Sequence, residues 1–226
     1  MKIASRKIAT LTDQIVRVTL TPMRTIPVVG SPKEESAAWT ASLENDEDAF
    51  AIVFDLHRDR VYHHALRMTT NVHDAEDVVA ATFFELWRLR KSVRVVDGSV
   101  LPWLLVTATN VSRNVTRGIR RYRVLIATLP RATEMRSSED AALETIAESG
   151  LAANVREAMG RLSPADAALI ALTAFECYSP TQAAIALGIT EGAARTRLHR
   201  ARARMATALG TLEDNVNINA TKETNP

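Results

Sequence analysis

Apolar residues recur along much of this chain at spacings of three and four, the period of a helix with one buried face. Between positions 47 and 70, Phe50, Val53, Phe54, His57, Val61, Ala65 and Met68 form such a stripe. His57 on that face is expected as a core residue bonded to a neighbour rather than as a ligand. A second helix is expected from about Asp74, where Asp74, Glu76 and Asp77 suit the positive end of a helix dipole. Its apolar residues cover more than one face: Val79, Phe83 and Leu86 make a stripe that Val78, Phe84 and Trp87 widen. Such a helix is either enclosed in a bundle, or packs inward on one side and meets a protein partner on the other, where Trp and Phe are enriched. A third helix, from about Val100 to Tyr122, carries Leu104, Ala108, Val111, Val115 and Ile119 as its stripe, with Pro102 tolerated in the first turn. At about 100° per residue, Arg113, Arg117 and Arg120 point the other way, flanked by Asn110, Asn114 and Arg121. Residues 91–99 form a loop whose turn is Asp97-Gly98, with Ser99 placed to cap the third helix.

The C-terminal part repeats the helical period in shorter pieces. Val155, Ala158, Met159 and Leu162 give one helix, and Pro164 to Phe175 gives a second with Leu169, Ile170 and Leu172 inside. From Ser179 the local signals are denser. Ser179 is an N-cap, Pro180 occupies the first helical position and Gln182 completes a capping box. Gly188 ends that helix, and Thr190 caps the next. Ala194, Leu198, Ala201 and Met205 then share one face, while Arg195, Arg197, Arg200, Arg202 and Arg204 occupy the others. A helix-turn-helix with so basic a second helix suits a DNA major groove.

Other segments lack such a pattern. Residues 1–45 are read as a flexible or partner-dependent extension: Ile15, Val16, Val18 and Leu20 hint at a strand without a partner, and Pro22, Pro27, Gly30, Ser31 and Pro32 break regular structure. An internal start such as Met23 is the alternative. Residues 125–150 are read as a flexible linker holding a short acidic helix at 141–148, and 211–226 as a polar tail.

Composition agrees with an all-α chain. Aromatics make up 5% of the 226 residues, and the formal net charge is +2. The single cysteine, Cys177, rules out an internal disulfide framework and is expected as a small buried residue beside Phe175 and Tyr178. No metal-ligand spacing appears among the five histidines, so neither a metal nor a cofactor is expected. No apolar run is long enough for a membrane helix, and no signal peptide is evident, which places the protein in the cytoplasm. The near-neutral total hides a segregation. Acids dominate from Glu34 to Glu85, whereas from Arg88 to Arg123 nine basic residues face only Asp97. That arrangement suits two surfaces for two kinds of partner, one of them a polyanion.

Three stretches, in this order, resemble a known family. Asp74-Ala-Glu-Asp77 with Phe83-Phe-Glu-Leu-Trp87 is similar to the core-polymerase-binding helix of extracytoplasmic-function (ECF) sigma factors in the sigma-70 family. Pro102-Trp-Leu-Leu105 through Asn110-Val-Ser-Arg-Asn114 to Arg117 resembles their promoter-melting helix. Leu162-Ser-Pro, the helix-turn-helix and Arg197-Leu-His-Arg-Ala-Arg202 resemble their region 4. The resemblance implies two small helical domains: a three-helix region 2 over 46–124 and a region 4 helix-turn-helix over 151–210. It implies a sigma factor, not an enzyme, that binds core RNA polymerase and directs promoter recognition, melting and transcription initiation. An anti-sigma factor is expected on the same ground.

By resemblance, Asp77, Phe83, Glu85 and Trp87 contact core polymerase. Arg113, Arg117, Arg120 and Arg121 hold phosphates of the minus-ten element, with Asn110 and Asn114 near its bases. A flipped base is captured partly by the loop Lys91–Ser99. At the minus-thirty-five element, Glu191, Arg195, Thr196 and His199 are the base-edge candidates, and Arg197 and Arg200 hold phosphates. Two other function classes stay open at this point: a stand-alone helix-turn-helix regulator, and a degenerate sigma-like interaction module, the latter kept by Ala80 and Asn114, where the family commonly has Gln and an acid.

Overall fold

The computed structural model describes residues 32–128 and 150–223, with side chains described except at 32, 119–120, 122–128, 151 and 211–223. The chain divides into two compact units between Glu148 and Ser149. The acidic helix expected at 141–148 lies outside the described residues. Among those described, no helix is long and apolar enough to cross a membrane.

The first unit holds four helices: α1 (Pro32–Leu43), α2 (Glu47–Met68), α3 (Val72–Leu89) and α4 (Leu101–Thr128). Over Pro32–Leu43, helix α1 corrects the expectation of a flexible or partner-dependent extension. It lies against α2 and buries Glu35, Ala38, Trp39 and Ser42, at spacings of three, one and three. Two of those four are polar, so the apolar period is masked. Ser42 satisfies its hydroxyl on Ala38 O at 2.7 Å. Pro32 starts this helix rather than breaking it, as a proline can at a first position. Helix α1 thus packs onto the expected three-helix core from the N-terminal side.

Local capping separates the elements. Asp46 caps α2 through Ala49 N at 2.9 Å, after Asn45 turns the chain with φ 68°. Asn71 caps α3 through Asp74 N at 2.7 Å, so that helix begins two residues before the expected Asp74. Between α3 and α4, a short 3-10 turn (Arg90–Ser92) leads to a tight hairpin. Val96 and Ser99 exchange backbone bonds of 2.9 and 3.0 Å around Asp97 and Gly98, whose φ values are 51° and 82°. Two central residues at positive φ define the turn type that favours Asp-Gly.

The core of this unit follows the expected stripe on α2, where Val53, His57, Val61, Ala65 and Met68 are buried. On α4 the phase differs. Leu101, Leu104, Leu105, Ala108, Thr109, Ser112 and Arg113 face inward, while Val111 and Val115 are half-exposed. Polar positions occupy the C-terminal half of the buried stripe, and the period of apolar residues alone misplaces it. Thr109 is there because buried His64 of α2 bonds its hydroxyl at 2.9 Å.

The second unit contains α5 (Gly150–Arg161), α6 (Pro164–Ile170), a π-helical turn (Ala171–Phe175), α7 (Pro180–Leu187) and α8 (Glu191–Glu223). The capping box at Ser179 forms in both directions, with bonds of 2.8 and 3.2 Å. Gly188 takes the left-handed conformation at φ 65°. Its N–H bonds Ile185 O, and Ile189 N bonds Ala184 O, which closes a Schellman motif. Ala183, Ala184 and Ala186 of α7 and Ala194 and Ala201 of α8 are buried, so small side chains let these helices approach closely. Leu198, Met205 and Leu209 complete the apolar face of α8. The polar tail expected from 211 continues as helical backbone to Glu223. Cys177 is exposed rather than buried, at φ 59°, because the chain leaves the π-turn there and buries Glu176 instead.

Trp39→Ala tests whether α1 belongs to the fold. Truncating a buried Trp should cost about 3–5 kcal/mol, read as an earlier urea transition in the full chain. A free extension would leave that transition unmoved.

Candidate nucleic-acid and protein interface

Helix α3 presents two faces with different surroundings. Ala75, Val78, Thr82, Phe83 and Leu86 are buried. Phe83 packs its ring edge against Phe54 at 4.6 Å and is 4% exposed, so it belongs to the core and leaves the expected partner surface. Its neighbour Phe84, one helical step of about 100° away, is 65% exposed. Sequence reasoning placed Phe84 among the widening residues but not among the contacts. Which of two adjacent phenylalanines turns inward is decided by Phe54, on another helix. Asp77 and Ala80 are exposed on the same side as Phe84. Trp87 is half-buried: its ring meets Phe50 edge-on at 4.9 Å, and the Arg90 guanidinium lies over it at 4.2 Å. Arg90 also bonds Trp87 O at 2.6 Å and Asn45 Oδ1, so Trp87 helps to hold the α1–α2 turn. Glu85 pairs with Arg88 at 2.6 Å, and its charge is partly answered within the helix.

Helix α4 carries the basic face, with one correction. Arg113 is 3% exposed and lies on the buried stripe with Ser112, so it cannot sit on the solvent-facing surface expected of it. The face that remains is Asn110, Asn114, Arg117 and Arg121, at spacings of four, three and four, with Asn110 half-buried and the others exposed. The Arg120 side chain lies outside the described residues. Asn110 Oδ1 has no hydrogen-bond partner. Trp103 and Thr107 continue the same line toward the N-terminus of α4, both half-exposed. A cue for them exists in the sequence, since 103, 107, 110 and 114 keep the helical spacing, but the misplaced apolar phase hid it. The Asp97-Gly98 turn stands immediately before this end of the helix.

Helix α8 exposes Arg195, Thr196, Arg197, His199 and Arg200, with Glu191 half-buried in its first turn. Thr190 caps it through Ala193 N at 3.2 Å. Glu191 and Arg195 form an ion pair one turn apart, so the two lie side by side at the N-terminal end of α8. Thr196 returns its hydroxyl to Gly192 O at 3.0 Å. The orientation of α8 is set from beneath by Asp166, which is buried in the first turn of α6. Asp166 Oδ2 accepts from Arg204 at 2.7 Å, and Arg197 stands 4.0 Å from the other carboxylate oxygen. Asp166 was not singled out as a site residue. Its partners lie more than thirty positions away, beyond the reach of helical spacing.

The chain is similar to known proteins over both units. The model of sigma-70 region 2 matches residues 53–122, and that of sigma-70 region 4 matches residues 152–205. The ECF RNA polymerase sigma factor SigE of Mycolicibacterium smegmatis is 33% identical over 147 residues, covering 65% of this chain and 56% of that protein. The RNA polymerase sigma factor CarQ of Myxococcus xanthus is 30% identical over 168 residues, covering 74% of this chain and 92% of CarQ. Among solved structures, CnrH in complex with the cytosolic domain of CnrY matches with a TM-score of 0.49 at 21% identity, over 79% of this chain and 98% of CnrH.

Replacing Arg204 by Ala should lower stability by roughly 1–2 kcal/mol, since it breaks a charge-assisted bond to a buried carboxylate. Arg197→Ala, at the longer distance, should cost well under half of that. Urea unfolding of the two variants checks the order, and equal losses would show that Asp166 does not favour Arg204.

Proposed function

The chain belongs to the sigma-70 family, as one of its ECF sigma factors, and from that premise we propose how its surfaces divide the work of transcription initiation. Binding core RNA polymerase falls to the outer face of α3, with Asp77, Phe84 and Glu85 on it and Trp87 at its edge. Phe84 is a large apolar group held in solvent on a helix that already has a full core face, which supports a protein partner there. An anti-sigma factor, expected from the family, would compete for this unit.

Promoter contact is shared between the units. The face of α4 formed by Asn110, Asn114, Arg117 and Arg121 meets the minus-ten element, with the arginines on phosphates and the asparagines near bases, and Arg120 belongs to the same proposal. The observation that carries this assignment is that face itself: four polar or basic residues in register, in a helix with no acid from Val100 to Arg123. A solvated face ordinarily mixes both signs. On α8, Glu191, Arg195, Thr196 and His199 reach base edges of the minus-thirty-five element, and Arg197 and Arg200 hold phosphates. The protein works in the cytoplasm, with its polymerase. The grips correspond to a region 2 domain that includes α1 and a region 4 domain from about residue 150 to 210.

Run-off transcription with purified core polymerase tests the proposal. The full chain should bind core and direct initiation from a DNA library of candidate promoters. Absence of core binding would sink it, and core binding without initiation would favour an interaction module. Phe84→Ala should weaken core binding about ten-fold or more, as loss of an exposed aromatic anchor does, while DNA binding by α8 stays intact. Equal loss in both assays would indicate a folding defect.

Arg117→Ala makes a separate test on DNA. It should weaken holoenzyme binding alike for all promoter sequences and reduce the slope of log affinity against log salt by about one. A change confined to one promoter position would mean that Arg117 reads a base instead.

A further inference from the structure

Helix α1 sends one charged side chain into the interior, and that side chain reaches the loop before α4. Glu35 Oε1 accepts from Val100 N at 2.8 Å and from His57 Nε2 at 2.9 Å. The Ser99 hydroxyl lies near the same carboxylate and favours its charged form, while its oxygen accepts from Leu101 N at 3.1 Å. Val100 N–H is one of the donors that a helix start leaves without an internal partner, and it is met here by a residue 65 positions earlier. Both ends of the hairpin are anchored: Val96 and Val100 are buried, with the Asp97-Gly98 turn between them. Gly98 also lines an open groove with Lys33, Ala37 and Ala41 of α1. The loop therefore leans on α1, and Val95, next to the anchor, stays exposed.

We propose that Glu35 is a positioning residue for minus-ten recognition. By holding Val100 N at the end of the hairpin, it sets the loop Lys91–Ser99 against the Asn110–Arg121 face of α4. The inference rests on the assignment of that loop and face to the minus-ten element. A flipped base costs a few kcal/mol to extrude, and a loop already ordered before DNA arrives spends none of the binding energy on its own ordering. The sequence between Lys91 and Ser99 offers little to order itself beyond one tight turn. An external tie from α1 supplies the order, which gives the N-terminal helix a part in promoter choice as well as in packing.

The test uses the full chain and two substitutions. Glu35→Met keeps the length of the buried stem and removes both oxygens, and Glu35→Gln keeps an acceptor for Val100 and His57. Two readouts are taken. The first is hydrogen exchange over residues 93–101 in the free protein, with residues 180–200 as the control. The second is transcription by the holoenzyme from a promoter library randomised at the minus-ten and minus-thirty-five elements, read by sequencing the transcribed templates. Glu35→Met should speed exchange over 93–101 only, and reduce base preference at the minus-ten element about three- to ten-fold, the effect of one lost buried hydrogen bond. Preference at the minus-thirty-five element should stay unchanged, and Glu35→Gln should recover most of both effects.

Unchanged exchange over 93–101 would overturn the positioning role. Faster exchange with unchanged minus-ten preference would overturn its link to recognition. Equal loss of preference at both elements would reduce Glu35 to a structural residue. Should Glu35→Met not fold, Glu35→Asp shortens the side chain by one methylene and withdraws the carboxylate from Val100 N while leaving the Ser99 cap on Leu101 N in place, so the same comparison decides. Failure of the sigma-factor assignment itself appears in the wild-type arm, as a holoenzyme that enriches neither element.

Discussion

One buried carboxylate ties three segments of the first unit. Glu35 comes from α1, His57 from α2, and Val100 stands at the start of α4. Burial alone pushes the Glu35 carboxyl up; the bonds from His57, Ser99 and Val100 outweigh it, and the group ends below the ordinary glutamate value. Such a tie is directional in a way that apolar packing is not. Sliding α1 by one residue would strand the carboxylate among apolar side chains and leave two donors unpaired, at about 1–3 kcal/mol for each lost partner. His64 with Thr109 repeats the device between α2 and α4. In a chain with 5% aromatic residues, these polar pairs set helix register, while Trp39, Phe83 and the aliphatic residues supply the buried area.

That division explains what the sequence made legible. The helix-turn-helix could be read almost residue by residue, because its determinants are local: the Ser179 capping box, the left-handed Gly188, and an apolar face four, three and four apart on α8. The buried stripe of α2 was readable for the same reason. Helix α1 was not, since Glu35 and Ser42 interrupt its apolar pattern and their reason for being inside lies elsewhere. Glu35 answers a histidine 22 positions away and an amide 65 away. The phase of α4 failed likewise: Thr109, Ser112 and Arg113 read as surface residues until His64 and the neighbouring helices surround them.

The candidate sites show the same limit at single-residue scale. Phe83 and Phe84 are equivalent to any argument from composition, and a helix apolar on two sides does not say which side is the core. Phe54 makes that choice by packing on Phe83, and thereby turns Phe84 into a surface group. Arg113 and Arg117 are likewise one turn apart in sequence, yet one is buried and the other exposed. Long-range packing thus selects the exposed face by removing its neighbours from solvent. The motif points to the helices, and the partners of each helix decide which of its residues stay exposed.

Specific contact with DNA needs few base-reading groups, but they must be held still. On α4, two asparagines stand in a line with two arginines, and arginine contacts to phosphate carry affinity without sequence information. If α4 meets DNA as proposed, discrimination falls on side chains whose placement depends on the backbone beneath them, and on a loop with little internal structure. A core closed only by interchangeable apolar groups would tolerate small shifts of α4 and its loop. Hydrogen-bonded ties from Glu35 and His64 resist them. Region 4 meets the same demand differently, with a buried Asp166 gripping Arg204 below the exposed surface of α8. Because the two units share one chain, each needs only modest affinity of its own: binding of one raises the effective concentration of the other at the promoter. Rigid placement within each unit then contributes more to promoter choice than additional contacts would, since added phosphate contacts raise affinity for every sequence alike.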